Sequence, residues 1–578
     1  MQTDSAATAS SKDLKREGLD RRAEEGWPVF RYSLWASMIL CWLVEALSYR
    51  YSLSPDGINY LDIASACMKG QWTAAVNAYW SPGYPVLLSF WLSIFHPSAF
   101  RELAAVKYFN CLVLVLALYC FEYFLQGVLK YTLQAAGDDR EEGPLPIWAL
   151  RATGYTLFFW ISLYLTPPSL DTPDVLVFAS ILLAAGILVR VAAGADGWLR
   201  FAALGIVLGL GYLAKAIMFP LAFIFLAAAP FAVGNVRRAI PRLLLALILF
   251  SAVSAPFLLL ISRSKGRFTF GDSGRINYAE YVNGVNLFVH WQGEPPGTGT
   301  PKHPTRKILE TPPVYEYASP VTGTYPPGSD PSYWYDGVRP HFELKGQLNA
   351  FRLGLDDYFE LSTRLGSLLA GLVVLLLWGN RLRDFLKRFW SAGFLWIPAL
   401  AGLAAYALIH VESRFLGGFL ILLWAGTFSV VRIPRTEVGT RVLRCVILTI
   451  VLLLDVQIAW SMGHSVIRLK SFHVPEDVEV ARELIHEGIA SGDKIAVVGF
   501  VDPYWAYLAK VSIVAEVYQG GVASFWGAGS ELRTQVLNLL AKSGAKALVA
   551  KDVPPTLLAD GWRQVGATSY FFLVLPGP

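Results

Sequence analysis

At 578 residues the chain is long enough for two or more folding units, yet 54% of its residues are hydrophobic and only 16% charged, against roughly 25% charged in soluble domains. That composition excludes an ordinary soluble enzyme. The net charge of +5 is small for this length and the basic residues gather between apolar blocks rather than along one stripe, which argues against a nucleic-acid partner and for a chain that contacts membrane lipids.

The N-terminal tail, residues 1–32, is polar as far as Trp27 and has neither an apolar core nor a small-residue cleavage site. It reads as a mostly disordered cytoplasmic tail, not a signal peptide. Apolar blocks then predict about eleven membrane helices, at 34–49, 103–125, 147–165, 175–191, 201–213, 217–233, 243–261, 361–378, 390–409, 415–431 and 445–462, each near the ~20 residues that cross a bilayer core. The apolar segment 84–95 is too short to span and is expected at the interface. Residues 33–463 therefore form a mainly α-helical, polytopic membrane domain. Short cytoplasmic loops retain Lys and Arg. The groups Arg190 and Arg200; Arg237, Arg238 and Arg242; Arg381, Arg383, Lys387 and Arg388; and Arg432, Arg435 and Arg441 share a side with the basic tail only if 84–95 does not cross. This parity puts the loops 50–83, 166–174 and 262–360 outside, with Lys215, the turn 410–414 and everything from His464 onward.

The loop 262–360 is rich in Pro, Gly, Tyr and Trp without a sustained helical period, which suits an ordered cover over the membrane part. From 475 the pattern alternates: helix 477–487, strand 494–500, short helix 503–510, strand 511–517, helix 531–543, strand 545–550. Strands separated by helices predict a soluble α/β domain over 475–578 with a mainly parallel sheet. Four of the five cysteines fall in apolar spans and Cys67 in a loop, so no disulfide framework is implied.

Ionisable residues at the outer ends of the spans are the candidates for chemistry. Asp56 stands at a helix start in Ser54-Pro55-Asp56-Gly57, where a carboxylate can act as a general base or cap the helix. The second outer loop offers Asp171 and Asp174, of which Asp174 ranks first. With Asp56 they could make an acid/base pair or a divalent-metal site, and capping is the other use of such residues. Lys215 lies between two apolar runs, where an ammonium grips a phosphate or snorkels to the interface. His410, Glu412 and Arg414 place three ionisable groups at the membrane border; Arg414 can hold a phosphate bidentately or pair with Glu412 to pin the turn. Glu45 and Asp455, inside spans, are expected to make helix-to-helix contacts or to face an interface.

The spacing Asp56-x-x-x-Tyr60, an Ala shortly after, Gly70-x-Trp72, and Pro82-Gly83-Tyr84-Pro85 leading into a short apolar segment resembles the first periplasmic loop of the GT-C glycosyltransferases. The match is with the bacterial branch related to protein O-mannosyltransferases and aminoarabinose transferases; it covers 34–462 and is sharp only in this loop. The resemblance implies a GT-C fold and a polyprenyl-phosphate-linked sugar donor. It further implies a protein, lipid or glycan acceptor, and inversion at the anomeric carbon. By the same resemblance Asp56 is the catalytic base, and Asp174 or Asp171 points into the same cavity to position acceptor or a divalent metal ion. Tyr60, Lys215, His410, Glu412 and Arg414 then contact substrate, Lys215 and Arg414 at the lipid phosphate. The setting implied is a bacterial inner membrane with the C-terminal domain periplasmic. The alternative is a transporter or a non-catalytic, partner-binding scaffold, but transporters carry midplane charges in matching halves, whereas these charges cluster at one face.

Overall fold

In the computed structural model, residues 3–134, 141–287, 290–379, 382–471, 474–499 and 503–576 are described. Each of the eleven apolar segments coincides with a helix: Thr3–Ser48, Ala99–Gln134, Ile147–Tyr164, Asp174–Ala192, Trp198–Ala214, Met218–Val233, Val236–Lys265, Gly366–Gly379, Gly393–Ala407, Gly417–Phe428 and Glu437–Lys470. Among the described residues, five helices are long and apolar enough to cross a membrane, or up to seven when each of two bent pairs counts as one span, rather than about eleven. Several are cut short by local chemistry. Lys215 leaves helical geometry in extended backbone, and Gly234 ends the next helix in the left-handed region that glycine alone enters freely. The long apolar helices make this an integral membrane protein.

The residues expected as a disordered tail instead continue the first helix back to Thr3, as a run of Ala, Leu, Lys, Arg and Glu favours. Segment 84–95 is a short helix, Gly83–Phe95. A Cβ on Gly83 would sit 2.8 Å from the Leu213 carbonyl oxygen, so this helix begins in backbone contact with the end of Trp198–Ala214. Cys67, expected in a loop, is buried in the helix Pro55–Met68.

The loop 262–360 is more structured than its composition suggests. It contains the helix Ser273–Tyr281, the strands Arg306–Leu309 and Val314–Glu316, and most of the helix Leu344–Arg364. That last helix bends by 76° into Gly366–Trp378 and leaves Leu348, Phe351, Leu355 and Phe359 exposed, the pattern of a helix lying at a bilayer surface.

The three expected C-terminal strands appear as Lys494–Val498, Ser512–Val517 and Ala547–Lys551; Phe500 lies outside the described residues. The sheet is nevertheless mixed. Lys494–Val498 pairs in parallel with both neighbours, while Tyr570–Val574 and Arg563–Gln564 extend one edge antiparallel. The other edge is extended antiparallel by Val314–Glu316 and then Arg306–Leu309, from the loop 262–360. The loop and the C-terminal region thus share one seven-stranded sheet. Strands this short, flanked by prolines, carry too little alternation to be seen in sequence.

Polar contacts at Glu102 and Asp62 help to seat this unit on the helices. The Tyr507 hydroxyl and Lys510 ammonium donate to the Glu102 carboxylate at 2.5 and 3.1 Å. The Thr324 backbone N–H and hydroxyl donate to Asp62 at 2.7 and 2.9 Å.

Candidate active site

The helix Pro55–Met68 is started by Ser54, whose hydroxyl accepts from the Gly57 N–H at 3.1 Å, with Pro55 in the first turn. Ser54 therefore does the capping, and the Asp56 carboxylate reaches elsewhere. It accepts from Arg414 Nη2 at 2.8 Å, across 358 positions of sequence.

Arg414 is the hub. Its guanidinium also contacts Glu412 and lies 3.8 Å from Asp174. Asp174 opens the helix Asp174–Ala192, is buried, accepts from the Thr172 hydroxyl at 2.6 Å, and accepts from Lys215 Nζ at 2.6 Å. The ring of Phe415 lies 3.6 Å below Lys215 Nζ, a cation–π contact that fixes the ammonium. His410 stacks on Tyr281 at 4.1 Å and meets Glu412 at 3.3 Å. Asp56, Asp174, Lys215, His410, Glu412 and Arg414 consequently form one connected cluster at one end of the helical bundle.

Burial would push the Glu412 carboxyl up, but His410 and Arg414 outweigh it and hold it at about 2. Burial opposes the charge on Arg414 too, yet Asp174, Asp56 and Glu412 together keep the guanidinium above its ordinary value. For Lys215 burial prevails over Asp174 and lowers the ammonium. The cluster thus presents a permanent cation beside a softer one. Tyr60, one turn beyond Asp56, is buried with its ring edge-on to Trp80 and Tyr84; burial, Asp56 and Asp174 raise its phenol well above the usual value, so it stays a neutral hydroxyl near both carboxylates.

Asp171 faces away from this cluster. Its carboxylate is ion-paired with the fully buried Lys107 and accepts from the Ser54 N–H at 3.2 Å. It thereby ties the loop 166–174 to the start of the Asp56 helix.

Beside Asp56 lies a cavity of about 120 Å³, walled by Tyr79, Trp80, Tyr325 and Tyr335, whose lining also includes Glu516. Glu516 is buried, accepts from Tyr317 and Tyr325 at 3.2 and 3.4 Å, and meets His290 at 2.8 Å. Sequence reasoning missed Glu516, His290 and Lys107. A single carboxylate inside the apolar strand Ser512–Val517 was the available signal, since such residues are buried only when paired.

As for a metal ion, Asp174 is already held by Lys215, and Arg414 bridges Asp56 and Glu412. A divalent cation there would have to displace side-chain cations that supply the same positive charge. Glu483, His486 and Glu487 bring potential ligand atoms within 4.8 Å of one another, on the C-terminal unit.

No protein-family model matches the chain, and no curated protein matches it in sequence. Among solved structures it is similar to ArnT from Cupriavidus metallidurans in the apo state, at 15% identity and a TM-score of 0.44, covering 96% of this chain and 100% of that one. It is similar to the same protein bound to undecaprenyl phosphate, at 14% identity and 0.43, covering 96% and 99%. It is also similar to the Archaeoglobus fulgidus oligosaccharyltransferase in complex with Zn and sulfate, at 14% identity and 0.47, covering 89% of this chain and 68% of that one.

Proposed function

We propose that this chain is a membrane glycosyltransferase of the GT-C kind, moving a sugar from a polyprenyl-phosphate donor to an acceptor at the extracytoplasmic face. The observation that carries the reading is the meeting of Asp56, Asp174, Lys215 and Arg414, from four separate segments, beside an aromatic hollow. Two cations at the end of a helical bundle suit a lipid phosphate, and flat aromatic walls suit a sugar ring.

In the proposed step the acceptor O–H or N–H gives its proton to the Asp56 carboxylate while the acceptor atom bonds to the anomeric carbon. The bond from that carbon to the phosphate oxygen breaks, and its electron pair leaves with the lipid phosphate. Arg414 and Lys215 stabilise that charge. An arriving phosphate competes with Asp56 for Arg414, which frees the carboxylate to act as base. Asp174 orients Lys215, and Glu412 orients Arg414. No metal ion is needed to balance the step.

The test is purified protein with labelled polyprenyl-phosphate sugar, reading release of free lipid phosphate. Asp56→Asn should abolish release while expression and thermal unfolding stay near wild type. Full activity in that variant removes Asp56 from the mechanism, and transport of intact donor without release of lipid phosphate overturns the enzyme reading.

A further inference from the structure

A second hollow has no part in the chemistry above. A groove of about 920 Å³ opens between the helices Thr3–Ser48, Ile147–Tyr164 and Glu437–Lys470, and its lining includes Leu34, Met38, Arg151, Ala152, Thr156 and Asp455. Two of its three walls are poorly covered: only 28% of the apolar window in the first and last of these helices is buried, against 67% in Ala99–Gln134 and 78% in Asp174–Ala192.

Asp455 is the residue that gives this groove meaning. It sits near the middle of the apolar stretch 445–462 and is exposed, beside exposed Leu452, Leu453 and Val456. It makes no hydrogen bond or ion pair among the described residues. At 1.5 Å per residue it lies about 15 Å from one end of that stretch and about 10 Å from the other. A carboxylate at such depth is costly unless something satisfies it. Acyl chains carry no donor, and phospholipid headgroups lie at the interface, beyond its reach.

A helix fits both the space and the charge. A 10 Å cylinder rising 1.5 Å per residue takes about 120 Å³ per residue, so the groove has room for roughly eight residues' worth of helix, or one face of a longer one. Ala152 and Thr156, one turn apart, are small enough to let a second backbone come close. An isologous pair of this chain would set hollow against hollow and bring two carboxylates together. We infer that the groove docks a membrane-spanning helix of another polypeptide, one that offers a hydrogen-bond donor or an ammonium to Asp455 at mid-bilayer depth. The groove shares no lining residue with the hollow beside Asp56, so the partner leaves the reaction site open.

The experiment places a photo-crosslinking residue at Thr156 in the full-length chain, expressed in its own host membranes, with the same residue at the exposed Leu260 as control. The expected result is an adduct at Thr156 to a polypeptide whose span carries a donor side chain at mid-depth. It should fall at least tenfold in an Asp455→Leu background and be absent at Leu260. Thermal unfolding of Asp455→Leu in detergent should match or exceed wild type, which separates lost docking from lost fold. No adduct, adducts only to lipid or to a second copy, adducts at both positions alike, indifference to Asp455→Leu, or a lowered melting temperature would each overturn the inference.

Discussion

Removing the guanidinium of Arg414 should disable the site without unfolding the protein. The group contacts Asp56 at 2.8 Å, lies 3.8 Å from Asp174 and touches Glu412. One charge pair at about 4 Å is worth ~4 kcal/mol at the effective permittivity near a protein surface and ~1 kcal/mol in water. Asp56 and Glu412 are more than a third exposed, so their shares sit toward the lower figure; Asp174 is buried but keeps Lys215. Arg414→Gln leaves three carboxylates facing one ammonium where an anionic phosphate must bind. A penalty of about 2–4 kcal/mol follows, or roughly thirty- to a thousandfold in rate. Arg414→Lys keeps the charge but not the fork that reaches several carboxylates at once, so it should fall between the two. The assay is the initial rate of lipid-phosphate release, with kcat and KM resolved and thermal unfolding followed in the same detergent. Activity of Arg414→Gln within threefold of wild type, or lost only in proportion to the folded fraction, would refute the reasoning.

Asp171→Ala should act on stability instead, because it leaves the fully buried Lys107 without its carboxylate, a loss of about 3–5 kcal/mol; pairing it with Lys107→Met should recover much of the melting temperature, and an unchanged single variant would contradict the assignment. A pH dependence is expected from Asp62. Burial pushes this carboxyl up to about 6, against hydrogen bonds from Thr324 and Ser329 and the charge of Lys510. Its folded value lies above the usual range near 4, so its contribution to stability is complete below about pH 4 and is lost as pH rises through 6. Asp62→Asn should therefore gain melting temperature over wild type more at pH 8 than at pH 5; an equal difference at both would count against the buried, titrating carboxyl.

Much of this molecule is visible in one dimension, because a bilayer filters on composition. Apolar runs locate eleven of the helices, and a charge near the end of such a run stands out, which is how Asp56, Asp174, Lys215, Glu412 and Arg414 can be named before any coordinates. What tertiary structure decides is which charge faces which. Asp171 and Asp174 lie in one short loop with the same local pattern, yet one pairs with Lys107 and the other with Lys215, since helix packing sets those partners and no spacing records it. The same holds for the sheet. Val314–Glu316 joins Ser512–Val517 across some two hundred residues, and only that pairing carries Glu516 to the hollow beside Asp56. Local preferences are written residue by residue, whereas contacts between distant segments come from the competition among all surfaces that must be buried at once.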